Sequence, residues 1–255
     1  MRILLVNDDG IMAPGISVLY EAVRDFGDVT VVAPDGERSA VSHALTLDRS
    51  IQVRKVNTGT FEGIAVSGTP ADCVKIALNE FLEDKPDLIL SGINLGSNAG
   101  LNVVYSGTVG AAAEGTFNGI PAIALSINTY HDPYWEPVIP FIKDLVRNVI
   151  ENGIPKGILL NINIPNVAHK SQIKGVKITE QGMAHWKEEF DKRVDPKGRI
   201  YYWMTGVKRE EKEDERIDDT ALKNNYISVT PVQYNMTAFD RLEEIKNMGL
   251  SYQNK

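Results

Sequence analysis

The chain has 255 residues, 43% hydrophobic and 24% charged, with 27 basic and 34 acidic side chains for a formal charge of −7. That composition supplies ample material for a core and excludes a disordered tail or a collagen-like rod. The acidic balance, with no basic stripe, argues against nucleic-acid polymers, whose binding rests on neutralising phosphates with Lys and Arg, and points to a small ligand.

The first apolar run, residues 3–6, reads as a buried strand and stops at Asn7 and Asp8. It is too short for a signal-peptide core, and no stretch approaches ~18 apolar residues, so neither export nor a membrane span is expected. An amphipathic segment over 16–26 ends at Gly27, the expected helix stop. Strands over 29–33 and 64–66 follow, then a helix over 70–82 with Thr69 as capping hydroxyl, Pro70 at its first position and Asp72 in its first turn. Cys73 falls on the apolar part of this helix and reads as a small core residue. Being the one cysteine, it allows neither an intramolecular disulfide nor a Cys-based zinc site, which fits a reducing cytoplasm. Strands over 88–90, 122–125 and 158–162 alternate with helices over 109–118 and 137–152, which end at Gly119 and Gly153. The alternation predicts an α/β fold with a mostly parallel sheet flanked by helices.

After about Pro165 the pattern weakens. Strand-like pieces at 176–179, 200–203 and 226–232 are interleaved with charge, so residues 1–165 are expected to form the core and 166–255 an α+β extension. Within the extension, KREEKEDERIDD at 208–219 lacks apolar periodicity and reads as a solvated loop. A last helix is expected over 235–247, repeating Met236, Phe239, Leu242 and Ile245. No internal repeat is present.

In a doubly wound sheet ligands sit at the carboxyl ends of the strands. The runs there are polar: Asn7-Asp8-Asp9-Gly10, then Pro34-Asp35-Gly36-Glu37-Arg38-Ser39, then Ser67-Gly68-Thr69, then Ser91-Gly92-Ile93-Asn94. Asp8 and Asp9 repel each other unless a cation or a donor compensates them. Gly10 can take a turn conformation that lets both converge, and an ordinary Asp-Gly turn is the plainer alternative. The stretch 91–100, rich in Gly, Asn and Ser, offers the oxygen ligands that hard cations such as Mg²⁺ and Mn²⁺ prefer. Its glycines at 92, 96 and 100 do not match G-x-G-x-x-G, and no P-loop motif is present. Tyr105-Ser106-Gly107-Thr108 leads into a helix start, where free N–H donors bind phosphate, or where a hydroxyl simply caps the helix. His43 lies near the rim, with proton transfer or a structural role open to it, and His131, His169 and His185 have no assigned part.

Four ordered motifs carry a resemblance: VNDDG at 6–10, VAPDGERSAVSHALT at 32–46, SGTPADCVKIAL at 67–78 and SGINLGSNAGLNVVYSGTVGAAAEG at 91–115. The chain resembles the stationary-phase survival protein SurE family, more loosely again over 218–232. The resemblance implies a Rossmann-like core and a C-terminal region exchanged between the subunits of a homodimer or a dimer of dimers. It implies a divalent-metal-dependent hydrolase of nucleoside 5′- and 3′-monophosphates, acting in some members on short polyphosphate. It also implies one Mg²⁺ or Mn²⁺ per subunit on Asp8, Asp9, Ser39 and Asn94, with phosphate contacts at Asn98, Ser106, Gly107 and Thr108. Asp8 and Asp9 are then the expected catalytic residues, with Asp8 orienting or deprotonating water or attacking phosphorus itself. Two rival readings are a phosphoryl-accepting signalling module and a metal- or nucleotide-binding protein without turnover. The first of these needs an Asp ending a later strand, where this chain has Ala33-Pro34-Asp35 and Leu90-Ser91.

Overall fold

The computed structural model describes residues 1–209 and 214–250. Strand β1 (Arg2–Val6) is followed by helix α1 (Pro14–Val23), β2 (Asp28–Pro34), and the pair β3 (Val53–Asn57) and β4 (Glu62–Val66). Helix α2 (Pro70–Ile76), β5 (Leu88–Leu95), a short turn of helix α3 (Asn102–Tyr105) and α4 (Gly107–Phe117) come next, then β6 (Ala122–Asn128), α5 (Val138–Asn152) and β7 (Leu159–Pro165). The remaining elements are β8 (Gly175–Ile178), β9 (His185–Val194), β10 (Ile200–Arg209), α6 (Asp218–Lys223), β11 (Tyr226–Val232) and α7 (Leu242–Lys246).

Nine strands form one sheet in the order β3-β4-β2-β1-β5-β6-β7-β11-β8. From β4 to β7 every neighbour is parallel, as the Ile-, Leu- and Val-rich runs require; β3 and β11 are antiparallel to β4 and β7. The pleat sorts β1 between two cores. Ile3 and Leu5 face the layer that includes Ile16, Leu19, Ile142 and Val146 from α1 and α5, while Leu4 and Val6 face Cys73, Val74, Val109 and Ala112 from α2 and α4. Each fully buried large aliphatic side chain contributes roughly 1.5–3 kcal/mol. The small residues of α4 let it sit tight on the sheet: a Cβ added at Gly115 would stand 2.6 Å from Ile89 Cδ1.

The sheet does not stop at β7. β11 pairs with β7 over five register positions and β8 adds to β11, so the C-terminal part contributes strands to the same sheet. Pro231 lies past the last residue of β11 that pairs with β8, where no amide is needed on that side.

Three expectations need correction. The terminal helix does not span 235–247: it is a single turn of tight helix at Phe239–Arg241 followed by α7, because residues 235–238, with Asn235 bonding Thr237 N–H, turn instead. The charged run 208–219 is not all loop, since Lys208 and Arg209 close β10 and Asp218 opens α6; residues 210–213 lie outside the described residues. The helix from Pro70 changes to a wider coil at Ala77–Phe81, where Leu82 N–H bonds the carbonyl of Ala77.

Candidate active site at the carboxyl edge of the sheet

β1 is central in the sheet, so Asn7, Asp8 and Asp9 leave it in the middle of the rim. Asn7 forms the turn: its Nδ2 donates to Gly10 O (2.9 Å) and its Oδ1 accepts from Gly10 N–H (3.2 Å). Gly10 has φ +98°, and a Cβ there would stand 3.0 Å from the Gly36 carbonyl carbon, so the turn needs glycine twice over. Asp8 is buried, and its carboxylate accepts the hydroxyl and the N–H of Thr108, the latter at 3.1 Å. Its backbone carbonyl takes the N–H of Arg38 at 2.7 Å, which fastens the β2 loop beside it.

Asp9 accepts the N–H of Leu95 at 3.3 Å, so it lies against the residue that follows Asn94. Asn94 Nδ2 donates to Gly96 O at 2.7 Å, and the oxygen is the atom this side chain can offer a cation. Ser39, one residue beyond Arg38, is exposed and donates to Glu37 at 2.5 Å. Hydrogen bonds at or next to each position thus draw Asp8, Asp9, Ser39 and Asn94 to one stretch of the rim.

The electrostatics carry a signature. Burial pushes the Asp8 carboxyl up from its usual value despite the Thr108 donors. Burial and then the Asp8 charge push Asp9 up to about 6, and Glu37 adds to both. The arginine of the β2 loop does not answer them: the Arg38 guanidinium is spent on Asp35 and on the carbonyls of Ser67 and Gly68. Among the described residues no three His, Cys, Asp or Glu side chains form a metal cage. The candidate set is of another kind: two carboxylates met by N–H and O–H donors but, among the described residues, by no cationic side chain, together with an amide oxygen and a hydroxyl, all oxygen donors. That chemistry fits a hard divalent cation.

Helix α4 enters from above. Ser106 caps it by accepting Val109 N–H at 3.1 Å, so the capping hydroxyl is Ser106 and not Thr108, whose hydroxyl and N–H are both committed to Asp8. Gly107 allows the approach, because a Cβ there would stand 3.0 Å from that of Asp8. Asn98 is buried, donating from Nδ2 to Ser126 at 2.9 Å.

His43 lies one layer back. Its Nε2 meets Glu114 at 2.9 Å and its ring stacks on Phe117. Lys75 holds the other oxygen of Glu114 at 2.8 Å; burial raises that carboxyl, but the hydrogen bonds from His43 and Lys75 and the Lys75 charge outweigh burial and leave it at about 2. This ties the loop after β2 to α4. Reasoning from the sequence did not single out Glu37, Lys75 or Glu114. Spacing along helices gives Lys75 and Glu114 no sign of each other, since they stand on different ones. Cys73 is buried as expected, and burial raises its thiol well above the usual range.

The family model described as Survival protein SurE matches residues 3–188. The 5′-nucleotidase SurE of Christiangramia forsetii is 47% identical over 98% of this chain and 97% of its own length. That of Syntrophobacter fumaroxidans is 45% identical over 98% and 100%. The crystal structure of the SurE protein from Aquifex aeolicus superposes with a TM-score of 0.85 at 42% identity, covering 98% of this chain and 100% of that one. With the α/β fold, the paired rim carboxylates and these likenesses in hand, the chain belongs to the SurE family.

Proposed function

We propose that the chain is a divalent-metal-dependent phosphatase that hydrolyses nucleoside 5′-monophosphates to nucleoside and phosphate, and extends to 3′-monophosphates and short polyphosphate. The observation that carries this reading is the adjacent pair Asp8, buried, and Asp9, half-buried, with both carboxyls raised and, among the described residues, no cationic side chain turned on them. The relatives' shared name, 5′-nucleotidase, supplies the substrate class. On this reading residues 1–165 carry the chemistry and 166–255 serve bracing and assembly.

Asp8, Asp9, Asn94 and Ser39 are the residues that would hold a Mg²⁺ or Mn²⁺ ion, which when bound neutralises phosphoryl charge and makes water more acidic. Thr108 fixes the Asp8 rotamer through two donors, so one carboxylate can be aimed at water or phosphorus without reorganising. The Ser106 oxygen accepts from Val109, leaving its O–H to donate to a phosphoryl oxygen at the positive end of α4. Asn98 has a second amide hydrogen beyond the one spent on Ser126. Phosphate monoester hydrolysis demands very large acceleration, so this prior positioning is where the protein contributes.

Assembly as a homodimer or a dimer of dimers is part of the same reading. β9 and β10 form a two-stranded sheet of their own, with Phe190, Ile200, Trp203 and Met204 exposed. An isolated hairpin of this sort is marginal in water, and Met236, Phe239, Leu242 and Ile245 near the C-terminus are exposed as well. A second copy exchanging this region would cover them. Among the described residues no helix is long and apolar enough to cross a membrane.

The test is phosphate release from 5′- and 3′-nucleoside monophosphates and from tripolyphosphate, with Mg²⁺, Mn²⁺ or chelator. Metal-dependent release from the 5′ series is expected. No release with any metal would leave the non-catalytic binding reading, and retention of the phosphoryl group on the protein would favour the signalling one.

A further inference from the structure

The loop between β5 and α3 carries Asn98 at its middle, flanked by Gly96 at φ +108° and Gly100 at φ +63°. One backbone bond, from Gly96 N–H to Ile127 O of β6 at 3.0 Å, ties its start to the sheet. Beyond that bond, a set of buried polar side chains takes hold of its backbone. Asn98 N–H donates to Asn163 Oδ1 at 2.7 Å, and Asn98 O accepts Nδ2 of Asn161 at 2.7 Å and of Asn163 at 3.3 Å. Two residues on, Gly100 N–H donates to Asp218 Oδ2 at 2.9 Å, while Asp218 Oδ1 accepts the N–H groups of Gly182 (3.0 Å) and Asp219 (2.8 Å).

The preferences of the strand and helix that carry them do not account for these residues. Asn161 and Asn163 stand at alternate positions of β7, an interior strand, where a β-branched side chain fits better than an amide. Asn161, Asn163 and Asp218 are all 0% exposed. Burying an amide or carboxylate costs free energy that its hydrogen bonds must offset, and Asn161 Oδ1 has no partner among the described residues. The strand itself does not need these amides, but an apolar side chain at 163 would leave the buried N–H of Asn98 without its partner. The shared destination of the bonds is the backbone of residues 98 and 100. Asn163 both donates and accepts there, a two-point grip like that of a neighbouring strand.

We infer that Asn163 and Asp218 are positioning residues that clamp residues 98–100 from β7 and from the start of α6, fixing the Asn98 edge of the proposed phosphate site. The inference deepens the nucleotidase reading and rests on it for its kinetic arm. It also gives a part to the Asp218 stretch: a segment of the C-terminal region holds the rim loop, although none of its described residues belongs to the proposed metal set. Asp8 and Asp9 follow β1 and Asn94 lies in β5, outside the clamp, so cation binding and phosphate binding separate.

The experiment compares the full chain with Asn163→Leu, which removes both contacts at similar volume, and Asp218→Asn, which turns a donor toward Gly100 N–H. KM for a nucleoside 5′-monophosphate and the inhibition constant of inorganic phosphate are expected to rise together by about tenfold, the equivalent of one lost hydrogen bond. Mn²⁺ affinity is expected to stay within about twofold, as is kcat. Amide exchange at residues 96–101 should accelerate in both variants, a readout that does not depend on activity. Ser126→Ala, the gentlest change, should raise the same two constants less, and serves where a larger change prevents folding. Lowered melting temperature with unchanged KM, unchanged phosphate inhibition and unchanged exchange at 96–101 would overturn the clamp. A wild-type chain that releases no phosphate would overturn the nucleotidase reading instead, while the exchange result would still decide the clamp.

Discussion

The rim and the C-terminal arm break the usual rule of burial in opposite directions. At the rim, carboxylates and amides are taken out of water: Asp8, Asn98, Asn161, Asn163 and Asp218 are buried beneath or beside loops. On the arm, Phe190, Ile200, Trp203 and Met204 are exposed on a hairpin that, among the described residues, pairs only with itself. Buried polar groups and exposed apolar clusters are the informative exceptions in a folded chain. On the proposed reading each marks something that one chain does not supply: a cation and a phosphate for the rim, and a second copy for the arm. The two differ in how they are held. Asp8 is gripped by two donors from α4 and one bond from the β2 loop, a prearranged site, whereas the exposed apolar side chains of the arm lie on a two-stranded sheet of their own.

The comparison is broken hardest at Asp8 and Asp9. Asp8→Asn or Asp9→Asn should lower kcat/KM by on the order of a thousandfold, as loss of a preorganised charged group does elsewhere, with the chain still folded by circular dichroism. Chelator should abolish phosphate release from the wild type, and Mg²⁺ or Mn²⁺ should restore it. Unchanged rates in either case would remove the rim from the chemistry.

Thr108→Val tests the grip itself. It keeps the shape and takes away the hydroxyl, leaving Asp8 buried with one donor fewer. A loss of about 10–100-fold in kcat/KM is expected, the usual penalty for removing a partner that orients a metal ligand. Stability should fall by about 1–3 kcal/mol, the cost of a hydrogen bond to a charged group, which melting curves would report. Normal kinetics in a destabilised variant would reduce Thr108 to a structural role.

The fold was legible because its strands are continuous Ile-, Leu- and Val-rich runs and its helices end at Gly27, Gly119 and Gly153. The rim was legible for a related reason, since Asp8, Asp9, Ser39 and Asn94 all follow or end such runs. What escaped was everything set by contact across long separations. Glu114 is a helix residue whose partners, His43 and Lys75, lie 71 and 39 positions away. Asn161 and Asn163 sit inside a run that reads simply as a strand, and their role depends on a loop 63 and 65 residues earlier. β9 escaped because HWKEEFDKRV has charge on both faces, so period-2 alternation is lost. The terminal helix was overread because apolar spacing says nothing of where a helix begins without a cap.

On the arm, deleting residues from 235 onward should move the chain from dimer toward monomer or aggregate in sedimentation, with the rim residues untouched. The same oligomer with and without these residues would contradict an exchanged C-terminus.

The smallest expected effect is on pH. Asp9 has its carboxyl at about 6 in the folded chain against 3.8 ordinarily, so the folded state holds the proton more tightly than the unfolded one. Without metal, stability from this group is greatest below about 4 and declines as pH rises through about 6. Metal binding has the opposite trend, because the cation needs the ionised carboxylate, so affinity should climb between pH 5 and 7 by up to about tenfold per unit below 6.

The account rests on the rim carboxylates being arranged for a cation, and titrating Mn²⁺ into the wild-type chain and into Asp9→Asn by calorimetry tests this most directly. One site per chain in the wild type, weaker at pH 5 than at pH 7 and lost or greatly weakened in Asp9→Asn, is the predicted result. Equal isotherms for the two proteins, or no binding to the wild type at either pH, would contradict it.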